Sequence, residues 1–139
     1  MANDTNVVIE LAQAIDVVRA RGALRTMMVA SLQIQPDDPL VIDTLLATSE
    51  LMSNALEHTS GHCTVRAHLS SSRHVVRVEV TDTDPLTGLH PQMPGPEQHH
   101  GRGLAIVEAI ASRWGTERSA AGKTVWFEIE RPASTALDR

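Results

Sequence analysis

Aromatic side chains are scarce in this sequence, which contains no tyrosine, one phenylalanine and two tryptophans. Its core must therefore be aliphatic, and hydrophobic residues make up 42% of the chain, enough to build one. The scarcity excludes a ladder of aromatic side chains on which single-stranded nucleic acid would stack. Because basic runs are also missing and the formal net charge is −5, we expect no direct nucleic-acid partner.

Cysteine and long apolar runs are equally scarce. The single cysteine, Cys63, excludes an intramolecular disulfide and is typical of a reducing compartment. No segment has the length of a membrane span, and no basic stretch followed by an apolar run opens the sequence. We therefore expect a cytoplasmic protein with no membrane partner. Its 139 residues suit one domain, expected over 1–131, followed by a flexible tail over 132–139.

The order of polar and apolar residues predicts an α/β two-layer sandwich. An edge strand is expected at 6–11 and a helix at 14–32. A second helix begins after Asp38, which can cap it, and ends before Gly61. Alternating segments at 63–69 and 76–80 predict a hairpin, and a last strand is expected at 124–130. A third helix is expected from Gly101 to Trp114, with Gly115 ending it.

Between the hairpin and the third helix lies the segment 84–100, which holds four of the chain's seven prolines. This composition excludes regular structure. Loops of such length in a compact domain are usually lids, binding loops or disordered segments. Because the segment directly precedes a helix start flanked by glycines, we interpret it as a lid.

Two polar residues on the second helix, Glu50 and Asn54, are one turn apart and share a face. That face lies roughly opposite the main packing stripe of the helix, and this position favours a solvated surface. The stripe consists of Val41, Leu45, Thr48, Met52, Ala55 and Leu56. However, Leu46 and Leu51 border it, as they would border the floor of a pocket. Helix periodicity leaves both interpretations open. Chemically, the carboxylate can act as a general base and the amide oxygen can coordinate Mg²⁺.

Three further segments contain groups suited to binding a nucleotide. Asp82 follows an apolar strand, where its carboxylate can accept a hydrogen bond from an adenine amine, although the local sequence favours a plain Asp-Pro turn at the strand end. The run Gly101-Arg102-Gly103-Leu104 opens a helix, where free N–H groups and Arg102 can bind phosphate. Thr124 follows Gly122 and Lys123, and its hydroxyl can support Asp82 or adenine directly or through a water, although a plain turn before a β-branched strand residue explains it equally well.

Taken in order, these segments resemble the nucleotide-binding boxes of the Bergerat-fold (GHKL) ATPases. The resemblance is carried by S-E-L-M-S-N-A-L-E-H, V-E-V-T-D-T-D-P, G-R-G-L-A-I-V-E-A-I and W-G-T-E-R-S-A-A-G-K-T-V-W-F-E-I. It covers roughly residues 10–130 and is strongest toward the short stand-alone bacterial group that includes the anti-sigma-factor serine/threonine kinases. The implied fold is a mixed, mostly antiparallel sheet with three helices on one face.

The resemblance also implies ATP and Mg²⁺ as cofactors and assigns roles to the candidate residues. Asn54 would hold Mg²⁺ against the phosphates, and Glu50 would deprotonate a serine hydroxyl of a partner protein. Asp82 would bind the adenine amine, with Thr124 supporting that contact. The phosphates would be wrapped by Gly101, Arg102, Gly103 and Leu104, beneath a lid over 84–100.

The implied partner is a regulatory protein, namely a sigma factor, an anti-anti-sigma-type phospho-acceptor or both. The resemblance leaves open whether the protein forms a homodimer.

The sequence departs from the family motif directly after Asp82. The family usually continues Asp-x-Gly-x-Gly, whereas Asp82 is followed here by Thr83, Asp84 and Pro85. The missing glycines remove backbone freedom beside the nucleotide. Two hypotheses therefore stand. The chain is either a protein kinase or a non-catalytic binding module, whose partner association ATP gates or whose nucleotide binding is lost.

Overall fold

The computed structural model describes residues 4–58, 62–70, 74–82, 104–120 and 122–131. The strands are β1 (Asp4–Leu11), β2 (Cys63–Ser70), β3 (Val75–Asp82), β4 (Arg113–Ser119) and β5 (Gly122–Glu130), and the helices are α1 (Ile15–Leu32), α2 (Pro39–His58) and α3 (104–110). None of the helices in these ranges has the length and apolar character needed to cross a membrane.

The five strands form one sheet in the order β1-β2-β3-β5-β4. All four pairings between the described strands are antiparallel. The predicted α/β two-layer sandwich is therefore confirmed, and its sheet, expected to be mixed but mostly antiparallel, is antiparallel throughout this part of the chain. Both hairpins, β2–β3 and β4–β5, join neighbours in the sheet, and such connections produce antiparallel pairs.

One face of the sheet packs against the helices and carries the core. The predicted alternation holds in β3, where Val76, Val78 and Val80 are buried, and in β5, where Phe127 is fully buried. Phe127 is the one aromatic residue among the buried core residues of the described ranges. The expectation of an aliphatic core is thus confirmed.

The predicted third helix extends four residues too far at its C-terminal end. The helix is described over 104–110, and Trp114 instead lies in β4, where it pairs with Phe127. β4 is an edge strand whose residues are mostly exposed and polar. The strand is held by main-chain hydrogen bonds to β5 and buries few apolar side chains. Its sequence therefore lacks the alternating hydrophobic pattern on which strand prediction depends.

The opposite face of the sheet carries a polar network around Glu128. The guanidinium of Arg77 lies 4.3 Å from the ring centroid of Trp126 and donates to Glu128 Oε2 at 2.9 Å. Arg113 donates to Glu128 Oε1 at 3.0 Å. Burial raises the pKa of Glu128, but the hydrogen bonds from Arg77 and Arg113 outweigh it and lower the pKa below its ordinary value. This face is therefore polar and separate from the core.

The start of α2 is attached to one end of the sheet. Asp38 Oδ1 accepts a hydrogen bond from the Leu40 amide at 2.9 Å, which confirms the predicted cap. The other carboxylate oxygen pairs with the guanidinium of Arg131, which follows β5. The Arg131 amide in turn donates to the carbonyl oxygen of His74, directly before β3, at 3.0 Å. Asp38 therefore links the start of α2 to the end of β5 and the start of β3.

This double role makes Asp38 a testable determinant of stability. We expect Asp38→Ala to lower the free energy of unfolding by about 1–2 kcal/mol, because the helix loses its cap and Arg131 loses its partner. Urea denaturation followed by circular dichroism measures the change. Asp38→Asn is the matched control, since it keeps an oxygen for the cap and removes the charge. An equal loss in both variants would contradict a stabilising cap.

Candidate functional site

Helix α2 is buried over two adjacent stripes. The predicted stripe is confirmed by the burial of Val41, Leu45, Thr48 and Met52, and beside it lies a second stripe formed by Leu40, Thr44, Ala47 and Leu51. Asn54 continues the second stripe and is only 9% exposed, while Glu50 at its border is half-buried. Leu46, by contrast, is 45% exposed and lies on the solvent side. The interpretation of a solvated polar face is therefore wrong for Asn54.

The link through Asp38 also indicates which end of the sandwich Asn54 occupies. Asn54 follows Asp38 by sixteen residues, or about 24 Å of helix. The stretch from His74 to Asp82, which contains β3, extends over about 26 Å. Because α2 packs against β3 and both elements start at the same end of the sheet, both reach the opposite end after similar lengths. We therefore infer that Asn54 and Asp82 lie toward the same end of the two layers.

Asp82 is the last residue of β3 and lies on the helix-facing side of the sheet. It continues the alternation of Val78 and Val80 and is 9% exposed. Across the sheet it pairs with Cys63 of β2 and Lys123 of β5. Burial, and after it the negative charge of Asp82, raises the pKa of the Cys63 thiol to about 11. Cys63 is therefore a neutral core residue rather than a nucleophile.

The structure does not bring Thr124 to Asp82. Thr124 pairs with Thr81, and their hydroxyl oxygens are 2.8 Å apart. Because side chains alternate across a strand, these two hydroxyls lie on the polar face, whereas Asp82 lies on the helix-facing side. Lys123 is the β5 residue on the Asp82 side. Sequence reasoning missed Lys123, because the predicted strand began one residue later, at Thr124.

Lys123 is a half-buried cation between two charged neighbours. It pairs across the sheet with Asp82 on β3 and with Arg118 on β4. Burial lowers the pKa of Lys123, Arg118 lowers it further, and the charge of Asp82 raises it, with a net lowering. Its charged form is therefore only partly compensated by the carboxylate beside it.

The predicted phosphate-binding segment lies mostly outside the described residues. Gly101, Arg102 and Gly103 fall there, as does the predicted lid at 84–100. Leu104 is half-buried at the first described position of α3, whose Val107 is fully buried in the core. The roles of these segments stay predictions.

One end of the sandwich thus holds a buried amide, a buried carboxylate and a half-buried ammonium group. An amide oxygen can coordinate a hard cation such as Mg²⁺. A buried carboxylate accepts hydrogen bonds from an amine, and the ammonium group can only donate. Such a site suits a ligand that presents both donors and acceptors, as a nucleotide base does.

Comparisons with known proteins bear on the family and the fold. The sequence model of the histidine kinase-like ATPase domain matches residues 11–129. An uncharacterized protein of Streptomyces coelicolor is 36% identical over 104 residues, in an alignment covering 62% of this chain and 96% of that protein. The crystal structure of the RsbU and RsbW domains of Rv1364c from Mycobacterium tuberculosis has the same fold, with a TM-score of 0.61 and 23% identity over 94% of this chain. The chain spans about a third of that larger chain, with 34% covered.

Proposed function

We propose that this chain, which belongs to the histidine kinase-like ATPase domain family, is an ATP-binding regulatory protein whose nucleotide site lies at the end of the sandwich that holds Asn54 and Asp82. The observation that carries this proposal is the burial of those two polar side chains toward one end of the core, each 9% exposed. Burying an amide and a carboxylate is costly unless they have polar partners. A bound nucleotide and its metal ion would supply further partners.

Within this proposal each residue has a distinct role. Asn54 supplies an oxygen ligand to Mg²⁺, and Asp82 accepts a hydrogen bond from the adenine amine. The segment from Gly101 to Leu104 binds the phosphates at the start of α3, and residues 84–100 form the lid. Residues 1–131 make up the nucleotide-binding unit, with a tail over 132–139.

We further propose that the bound ATP is used to phosphorylate a serine or threonine of a partner protein. Glu50 supports this hypothesis, because it is half-buried one turn before Asn54 and so carries a carboxylate on the proposed metal side. The sequence resemblance to the anti-sigma-factor kinases supports a partner of that type, either a sigma factor or an anti-anti-sigma-type acceptor. The same resemblance leaves a homodimer open.

A second candidate function is a non-catalytic module of the same fold. In it, ATP gates association with a regulatory protein, or nucleotide binding is lost altogether. Two observations favour this candidate. Asp82 is followed by Thr83-Asp84-Pro85 with no glycine, and a lysine lies across the sheet from Asp82. Both features change the surroundings of the proposed base site.

The experiment that tests ATP binding is a calorimetric titration of the protein with ATP, with and without Mg²⁺. We expect Mg²⁺-dependent binding that Asn54→Ala weakens by about ten- to a hundredfold, the effect of losing one interaction with a charged group. Ser53→Ala is the matched control, because Ser53 is exposed on the same helix. Absence of binding at millimolar ATP, or an Asn54→Ala variant that binds like the wild type, would contradict the proposal.

A further inference from the structure

Three charged residues lie side by side across one end of the sheet. Asp82 of β3 pairs with Lys123 of β5, and Lys123 pairs with Arg118 of β4. Directly opposed residues in an antiparallel pair have Cβ atoms about 5 Å apart. The carboxylate of Asp82 and the ammonium group of Lys123 can therefore contact the same small ligand. Because both belong to the helix-facing side, they border the proposed site of the base.

The surroundings of Lys123 favour an additional acceptor. Its charged form is disfavoured by partial burial and by the nearby guanidinium of Arg118, and the charge of Asp82 offsets these effects only in part. An ammonium group in such a position gains from every further oxygen or nitrogen acceptor placed beside it. A ligand that offers one next to Asp82 would bind there preferentially.

The two purine bases differ in what they offer to such a pair. Adenine presents an amine donor and the N1 acceptor, so a carboxylate beside the amine is sufficient to bind it. Guanine presents the O6 carbonyl beside the N1–H and N2–H donors, and a lone carboxylate would repel O6. With a lysine next to the carboxylate, O6 has a donor while the carboxylate accepts from the ring N–H and the amine.

We infer that Lys123 contacts the base together with Asp82, and that the site therefore binds guanine as well as adenine nucleotides. This inference rests on the proposed nucleotide-binding function and extends it to base selectivity. A site that leaves a polar group of the wrong base unpaired discriminates against that base. Because Lys123 removes the unpaired group, the wild-type protein should bind ATP and GTP with affinities within about tenfold of each other.

The test is competition of ATP and of GTP, each with Mg²⁺, against a fluorescent ATP analogue. We compare the wild type with Lys123→Met, which keeps the length of the side chain and removes its charge. Losing a charged hydrogen bond to O6 should lower the GTP-to-ATP affinity ratio by about ten- to a hundredfold. Lys123→Arg, which restores a donor, should recover part of the ratio.

Arg118→Met is the matched control, since it removes a neighbouring cation that lies on the edge strand. It should change the affinities for both nucleotides alike. An unchanged ratio in Lys123→Met, an equal shift of the ratio in Arg118→Met, or a wild type that binds ATP and excludes GTP would each overturn the inference. If the wild type binds neither nucleotide, the proposed function itself fails, which is a distinct result.

Discussion

Replacement of Glu50 by Gln is expected to slow phosphoryl transfer from ATP to a partner serine by about 10²–10⁴-fold, the usual contribution of a general base. Glutamine matches glutamate in shape but cannot accept the hydroxyl proton. Most of the catalysis in phosphoryl transfer comes from positioning and charge neutralisation, which this substitution leaves in place. Transfer is measured by intact mass of acceptor proteins of the anti-anti-sigma type after incubation with Mg-ATP.

The control for Glu50→Gln is its affinity for ATP, which should stay close to that of the wild type. Glu57→Gln provides a matched variant, because Glu57 is an exposed glutamate further along α2. Loss of transfer in Glu50→Gln with binding retained supports the kinase. Transfer by Glu50→Gln at the wild-type rate would exclude Glu50 as the base. If the wild type binds ATP and modifies no acceptor, the non-catalytic module is the better account.

The parts of the fold that were predictable are those whose sequence pattern and burial coincide. Helix α2 is indicated by Asp38 at its start and by a stripe of apolar residues, and the structure confirms both. The alternating valines of β3 likewise indicate their own burial. β4 has no such pattern, because an edge strand with polar side chains is stabilised mainly by its pairing with β5. Its existence depends on a partner strand that no local pattern reveals.

Candidate site residues could be proposed from the sequence, but their surroundings could not be predicted from it. Periodicity identified the face that Glu50 and Asn54 share, yet it could not decide whether solvent covers that face. The answer depends on how broadly the rest of the molecule covers α2, and the second buried stripe ending in Asn54 decides it. Lys123 was missed for a different reason, because the predicted strand began at Thr124 and so left out the residue that pairs with Asp82.

Substitution of Asp82 by Asn should weaken ATP binding by about a hundredfold or more, because the carboxylate proposed to accept from the adenine amine becomes a neutral amide. The isosteric change avoids a cavity at a position that is 9% exposed. The NH₂ group of the new Asn side chain can also face the adenine amine, and two donors cannot form a hydrogen bond with each other. Calorimetric titration with Mg-ATP measures the loss, and circular dichroism checks that the variant is folded.

Thr124→Val is the decisive companion to Asp82→Asn, because the two residues were predicted to act together and the structure separates them. The Thr124 hydroxyl is hydrogen-bonded to Thr81 on the polar face of the sheet, so its removal should leave ATP affinity nearly unchanged. A large loss of affinity in Thr124→Val would contradict the strand register described for β3 and β5. A small effect of Asp82→Asn in a protein that binds ATP would mean that the base lies elsewhere. Asp82 would then be one more buried polar residue of the core, with Lys123 as its structural counter-ion.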